Sequence, residues 1–276
     1  MDRRPLPRRD DRLFGRGGYW DVSKRPLQIL VFLLPLIIAY ELGLALLLRT
    51  DAGVLTNAAH LRLIEFFEAF GIGATRGLYL GGIVIVVVLL AWHVLTREPW
   101  RVSWRAAGLM AIESMVLVMP LIVVGQFIVR FAGAGEAAPD VDHATMAAMF
   151  PATALAGSAQ QVSDLDVWSR LAISVGAGLY EELVFRMLLI AMLHTLLVDV
   201  VKASSGLSAV IAIAVSAAAF AYYHPLASAS TGMFIPMVLF YFIAGAYFGA
   251  IYFVRGFGIV VAVHALYNIV MVTLAG

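Results

Sequence analysis

The sequence predicts an all-α, polytopic membrane helix bundle of about seven transmembrane helices, N-in/C-out, and three observations carry that prediction. Of 276 residues, 62% are hydrophobic and only 13% charged, with long apolar runs, which departs from soluble globular composition. The apolar residues gather into seven stretches, each near the length of about 20 residues that crosses a bilayer core as a helix. Basic residues, finally, are distributed unevenly between the connections.

Residues 1–26 form a basic tail in which positions 3–25 hold eight Lys or Arg. The apolar segment that follows, 27–48, is too long for a secretory h-region and lacks an evident cleavage site, so it is expected to stay as an anchor. Residues 57–74 alternate apolar and charged positions at helical spacing, which predicts a helix along the outer interface or a short re-entrant helix. Spans two and three fall at 78–96 and 106–131. The connection 134–167 is acidic: residues 132–169 hold five carboxylates and no Lys or Arg. It is read as a mobile loop or as a cover over the outer face. The last four spans fall at 171–197, 207–223, 233–254 and 257–275, with Gly245 and Gly249 spaced for close helix approach. With the N-terminus in the cytoplasm, the inner side collects the tail together with Arg97, Arg101, Arg105, Lys202 and Arg255. The outer side keeps Arg49, Arg62, Arg76, Arg130 and Arg170, so the balance is thirteen to five, which sets the orientation. Organisation follows as a tail (1–26), N-terminal transmembrane helices with outer loops (27–168) and a core of helices that carry the chemistry (169–276).

Cysteine is absent, which removes disulfides, thiol nucleophiles and thiolate metal ligands. Three polar clusters interrupt the last spans: Glu181, Glu182 and Arg186 in EELVFR, Phe220 and His224 in FAYYH, and His264 and Asn268 in HALYN. Ionisable groups at membrane depth are costly, and their default reading is functional. Residues four apart share a helix face, so Glu182 and Arg186 can pair, while Glu181 lies about 100° round the helix and is left to face something else. A carboxylate in a dehydrated cavity suits a general base acting on water. His264 and Asn268 project to one side of the last span. Pro225 directly follows His224 and places it at a helix break. The chain has no HExxH, GxSxG or GxGD, which argues against the corresponding zinc, serine and aspartate sites.

The ordered set EExxxR, FxxxH and HxxxN resembles the signature of the CPBP family, the type II CAAX prenyl endopeptidases and their bacterial relatives, also called Abi proteins. The resemblance covers about residues 169–276. It implies an intramembrane endopeptidase in which Glu181 and His224 activate the attacking water. His264 and Asn268 would then stabilise the oxyanion or hold a metal, Glu182 with Arg186 would support the helix bearing Glu181, and Phe220 would pack beside the site. Two mechanisms stay open: a metal-free glutamate mechanism requiring no cofactor, and a zinc enzyme using His224, His264 and Glu181. Asn is a poor zinc ligand, and a ligating Glu181 would cease to be the base, which leans against zinc.

Two other function classes fit the same residues: a transporter or channel relaying protons, and a non-catalytic immunity scaffold. The expected partners are the lipid bilayer and a membrane-anchored protein or peptide, with no nucleic acid. The basic residues are 17 Arg and 2 Lys, which points to a GC-rich genome and a bacterial inner membrane, where prenylated substrates are not expected. Glu41 and Glu113 are read as structural pairs or cavity-lining groups, His194 as interfacial, and His60, His93 and His143 as residues of interfaces and loops without a role. Tyr222, Tyr223 and Tyr267 flank the motif histidines as hydrogen-bond donors or as filling. Upright helices would put His224 and His264 at different depths, so either the fifth span continues past Pro225 or the helices tilt.

Overall fold

The computed structural model describes residues 18–50, 53–133, 165–224, 227–228, 232–233 and 235–275. The basic tail before residue 18, most of the acidic connection and Pro225 lie outside the described residues. In chain order the helices are α1 (Gly18–Val22), α2 (Pro26–Leu46), α3 (Ala58–Ala69), α4 (Ala74–Thr96), α5 (Trp104–Gly133), α6 (Val167–Val200), α7 (Ser205–Tyr223), α8 (Ile235–Arg255) and α9 (Phe257–Ala275). Two hairpins of two-residue strands, Arg49–Thr50 with Gly53–Val54 and Ala227–Ser228 with Gly232–Met233, join α2 to α3 and α7 to α8. Among the described residues six helices are long and apolar enough to cross a membrane, where six of the seven apolar stretches placed them, and the seventh stretch is the shorter apolar helix α9. The chain is a multi-pass integral membrane protein.

Local chemistry accounts for the ends. Asn57 caps α3 by accepting from the His60 amide at 2.8 Å. Asp166 caps α6 through the Trp168 and Ser169 amides, and Ser204 caps α7; each satisfies donors that a first helical turn leaves unpaired. Arg97, at φ 53, ends α4 in the left-handed region, and Gly256, at φ 87, makes the tight turn between α8 and α9. The segment read as interfacial or re-entrant is α3, which buries Ala59, His60 and Ile64 and packs on α4 and α6.

α6 sits at the centre, and small residues let its neighbours approach. A Cβ on Gly176 would lie 2.1 Å from the Tyr40 ring of α2, and one on Gly178 would lie 2.8 Å from the Ala265 backbone of α9. On α8, a Cβ on Gly245 would lie 2.9 Å from Ala217 of α7, so Gly245 and Gly249 serve close packing as their spacing implied. After Glu182 the helix widens into i→i+5 turns over Leu183–Ile190. Such turns displace a ladder bond and recur at functional sites. Here the Ser216 hydroxyl of α7 donates to the Phe185 carbonyl at 2.9 Å.

At the end of the bundle that carries α1, Arg255 is not an exposed connection residue, as its place between spans implied, but is buried at 3% exposure. It pairs with Glu113, lies with its guanidinium carbon 3.7 Å from the Trp20 ring centroid, and donates to Ser23 Oγ at 3.2 Å. Tyr19 also donates to Glu113. The short helix α1 is thereby strapped across the end of α5 and α8.

Candidate active site

Glu181, Glu182 and Arg186 are all fully buried on α6. Arg186 Nε lies 3.1 Å from Glu182 Oε2, and Arg186 Nη2 donates to the Gly245 carbonyl at 3.2 Å. The Arg186 guanidinium also sits 4.4 Å from the Phe220 ring centroid. Phe220 therefore does more than fill space, because a cation over an aromatic face is held electrostatically where no water competes. Glu182 has a second partner: His264 Nδ1 lies 2.7 Å from its Oε1. With its other oxygen facing Arg186, the carboxylate accepts, so Nδ1 carries the proton.

His224 is the residue that ends α7, and its ring Nδ1 lies 2.7 Å from the Phe220 carbonyl. A carbonyl oxygen only accepts, so this Nδ1 is also the protonated nitrogen. In both histidines Nε2 is then left as a lone pair, and both point at one atom. His224 Nε2 lies 3.7 Å and His264 Nε2 3.8 Å from Glu181 Oε2. Those separations exceed a direct hydrogen bond and suit a bridging proton donor between three acceptors. Neither carboxylate oxygen of Glu181 has a protein partner. Buried polar atoms are nearly always paired in folded proteins, so Glu181 stands apart from Glu182 beside it.

The imidazoles are fixed in plane by rings from α8. His224 stacks on Tyr241 at 4.2 Å between centroids, and His264 on Phe248 at 4.6 Å. The sequence reading missed both aromatics; the available signal was two rings seven residues apart, flanking Gly245 on one face of α8. Asn268 is buried beside His264, and its Oδ1 has no partner. All seven predicted site residues thus belong to one cluster. α7 ends at Tyr223, yet His224 and His264 both lie within 3.8 Å of Glu181 Oε2, so the two histidines share one site.

The remaining polar residues sort differently from expectation. Glu113 pairs with Arg255, and Glu41 accepts from the Gly82 amide at 3.1 Å and from Tyr180; both are structural. His60 is no idle interface residue. It is fully buried, with Nδ1 2.9 Å from both Tyr40 and Thr56 hydroxyls, and its ring stacks on Tyr180 at 4.1 Å. Burial holds the His60 imidazole below its ordinary range, at about 4. His93 is likewise buried and not in a loop. His194 Nε2 lies 3.3 Å from the Ser205 hydroxyl. Tyr222 is exposed and faces away from the site, whereas Tyr223 and Tyr267 have buried hydroxyls with no partner.

Two imidazole nitrogens and a carboxylate are chemically a zinc donor set. Among the described residues no group of three such side chains is set closely enough to hold a metal ion as it stands.

No curated protein and no solved structure matches the chain. The family model described as type II CAAX prenyl endopeptidase Rce1-like matches residues 163–270, a stretch that holds all three motifs and every group that converges on Glu181. Over those residues, less than half of the chain, the protein is similar to the type II CAAX prenyl endopeptidases.

Proposed function

We propose that the protein is a glutamate-type intramembrane endopeptidase whose catalytic core is 169–276. The observation that supports this best is the convergence of two imidazole lone pairs on one oxygen of an unpartnered, buried Glu181. A water molecule in that triangle can donate to Glu181 and to His224. Glu181 takes a proton as the water oxygen adds to the peptide carbonyl carbon, and the carbonyl π electrons move onto oxygen. The oxyanion is met by the Asn268 amide, with His264 beside it held by Glu182. The C–N bond then breaks, and the proton held by Glu181 passes to the leaving amine.

The substrate is a membrane-anchored protein or peptide, because the scissile bond must reach groups buried in a helix bundle with a lipid-facing exterior. Lipidated CAAX tails are the class for which the matched family is named. The Arg-rich, Lys-poor composition favours a bacterial inner membrane, where the anchor need not be a prenyl group, and the thirteen-to-five split of basic residues favours an N-in orientation.

Membranes from cells expressing wild type or Glu181→Gln, compared by mass spectrometry of peptide termini, test this reading. Fragments present only with wild type support hydrolysis and identify the substrate. Equal termini across the membrane proteome would favour the transporter or scaffold classes.

A further inference from the structure

The site is closed. Glu181, His224, His264 and Asn268 are each at most 4% exposed, so substrate arrives only if some part of the bundle moves. A small cavity adjoins His264 and Asn268 and is walled by apolar side chains of α5 and α8, among them Leu121, Phe240 and Ala244. Two polar atoms on its α9 residues have no partner, the Tyr267 hydroxyl and Asn268 Oδ1. A hydroxyl and an amide oxygen complement the N–H and C=O of a peptide backbone, whereas a hydrocarbon chain would leave both unpaired at a cost.

Among the described residues two polar ties join α5 to α8: Arg255 Nη2 donates to Glu113 Oε2 at 2.7 Å, and the Tyr247 hydroxyl donates to the Leu117 carbonyl at 2.7 Å. Both ties lie on the α1 side of Pro120, which sits inside α5. Proline has no N–H, so the Val116 carbonyl loses its ladder partner and the helix is weakened one turn past the last tie. Beyond Pro120 the buried stripe of α5 is Leu121, Gly125 and Ile128. A Cβ on Gly125 would lie 3.4 Å from the Phe240 ring and 3.5 Å from the Tyr267 hydroxyl, so a residue without a side chain stands at the cavity mouth.

We propose that the part of α5 beyond Pro120 swings on that proline to open a lateral crevice against α8. An extended peptide segment of the membrane substrate enters there and lies along the Tyr267 hydroxyl and Asn268. This rests on the endopeptidase reading and adds the route and the binding surface for its substrate.

The chain has no cysteine, so introduced thiols are unique. Ala244→Cys places a thiol on the cavity wall, and its rate of reaction with a bilayer-soluble maleimide in nanodiscs reads opening without reference to catalysis. Reaction is expected, slowed roughly tenfold when Pro120→Leu restores the ladder bond at this exposed position. No reaction, or equal rates with and without the proline, overturns the crevice. For cleavage, Gly125→Cys with Phe240→Cys is bridged by a short reversible thiosulfonate. Glu181-dependent cleavage should fall about tenfold and return on reduction, and cleavage indifferent to the bridge overturns the route. Absence of Glu181-dependent cleavage in the unmodified protein would count against the endopeptidase reading, and the labelling rates would still decide the crevice.

Discussion

Glu182 joins two donors: His264 Nδ1 lies 2.7 Å from one of its oxygens and Arg186 Nε 3.1 Å from the other. Its neighbour Glu181 holds none. Adjacent carboxylates therefore have opposite consequences when neutralised. Glu182→Gln leaves the Arg186 guanidinium buried without a counter-charge, and breaking such a pair costs roughly 3–5 kcal/mol. Glu181→Gln removes a charge that has no partner, so thermal stability in detergent should hold or rise. Cleavage should nevertheless drop by about 10²–10⁴-fold with the loss of the base. Melting curves and cleavage rates of the two variants, measured side by side, check both halves; equal destabilisation by the two substitutions would contradict the pairing described.

The glycines of α6 make a second contrast. Gly178→Ala would put its methyl 2.8 Å from the Ala265 backbone nitrogen, where nothing flexible can yield. Forcing α6 from α9 is expected to cost about 1–3 kcal/mol and to spread Glu181 from His264. Gly108→Ala on α5 meets nothing within 4 Å and should be neutral, or stabilising by up to about 1 kcal/mol through helix propensity. Thermal shift of the purified variants gives the comparison.

Those two glycines also mark where the sequence was legible. The spans were readable because a bilayer demands about 20 apolar residues whatever the tertiary packing, and all three motifs were readable because polar residues stand out in apolar helices. The EExxxR spacing already implied that Glu182 and Arg186 pair. That His264 would share Glu182 was not readable, because the partners are 82 residues apart and their meeting depends on how α9 inclines across α6. Tyr241 and Phe248 were hidden for the reverse reason: in a membrane helix one more aromatic carries no contrast. Arg255 looked like a loop cation because its burial comes from α1, at the far end of the chain.

His60 supplies a pH prediction. Its folded value near 4 lies below the ordinary 6.5 because burial disfavours the imidazolium, so between those values the unfolded chain binds more protons than the folded one. Stability is then full above about pH 6.5 and falls as pH drops toward 4. At pH 5 the loss relative to pH 7.5 is about 2 kcal/mol. His60→Gln, which does not titrate, should flatten that part of the curve. Melting temperatures of both proteins across pH 4.5–8, a span chosen to bracket the window, give the difference, and parallel curves would show that His60 titrates alike in the folded and unfolded states.

Metal removal discriminates between the two chemistries that the donor set permits. In both histidines Nδ1–H is already committed, to the Phe220 carbonyl and to Glu182, which is also how metal-ligating histidines are commonly held. Orientation therefore does not separate water from zinc. What separates them is the role left for Glu181: as a ligand it would donate its charge to the metal and could no longer take the proton of the attacking water. On the glutamate mechanism, exhaustive dialysis against a chelator leaves the cleavage rate unchanged, and elemental analysis of the active protein finds zinc far below stoichiometric. Stoichiometric zinc, with activity lost on chelation and restored by zinc alone, would transfer Glu181 from base to ligand and leave water activation to the metal.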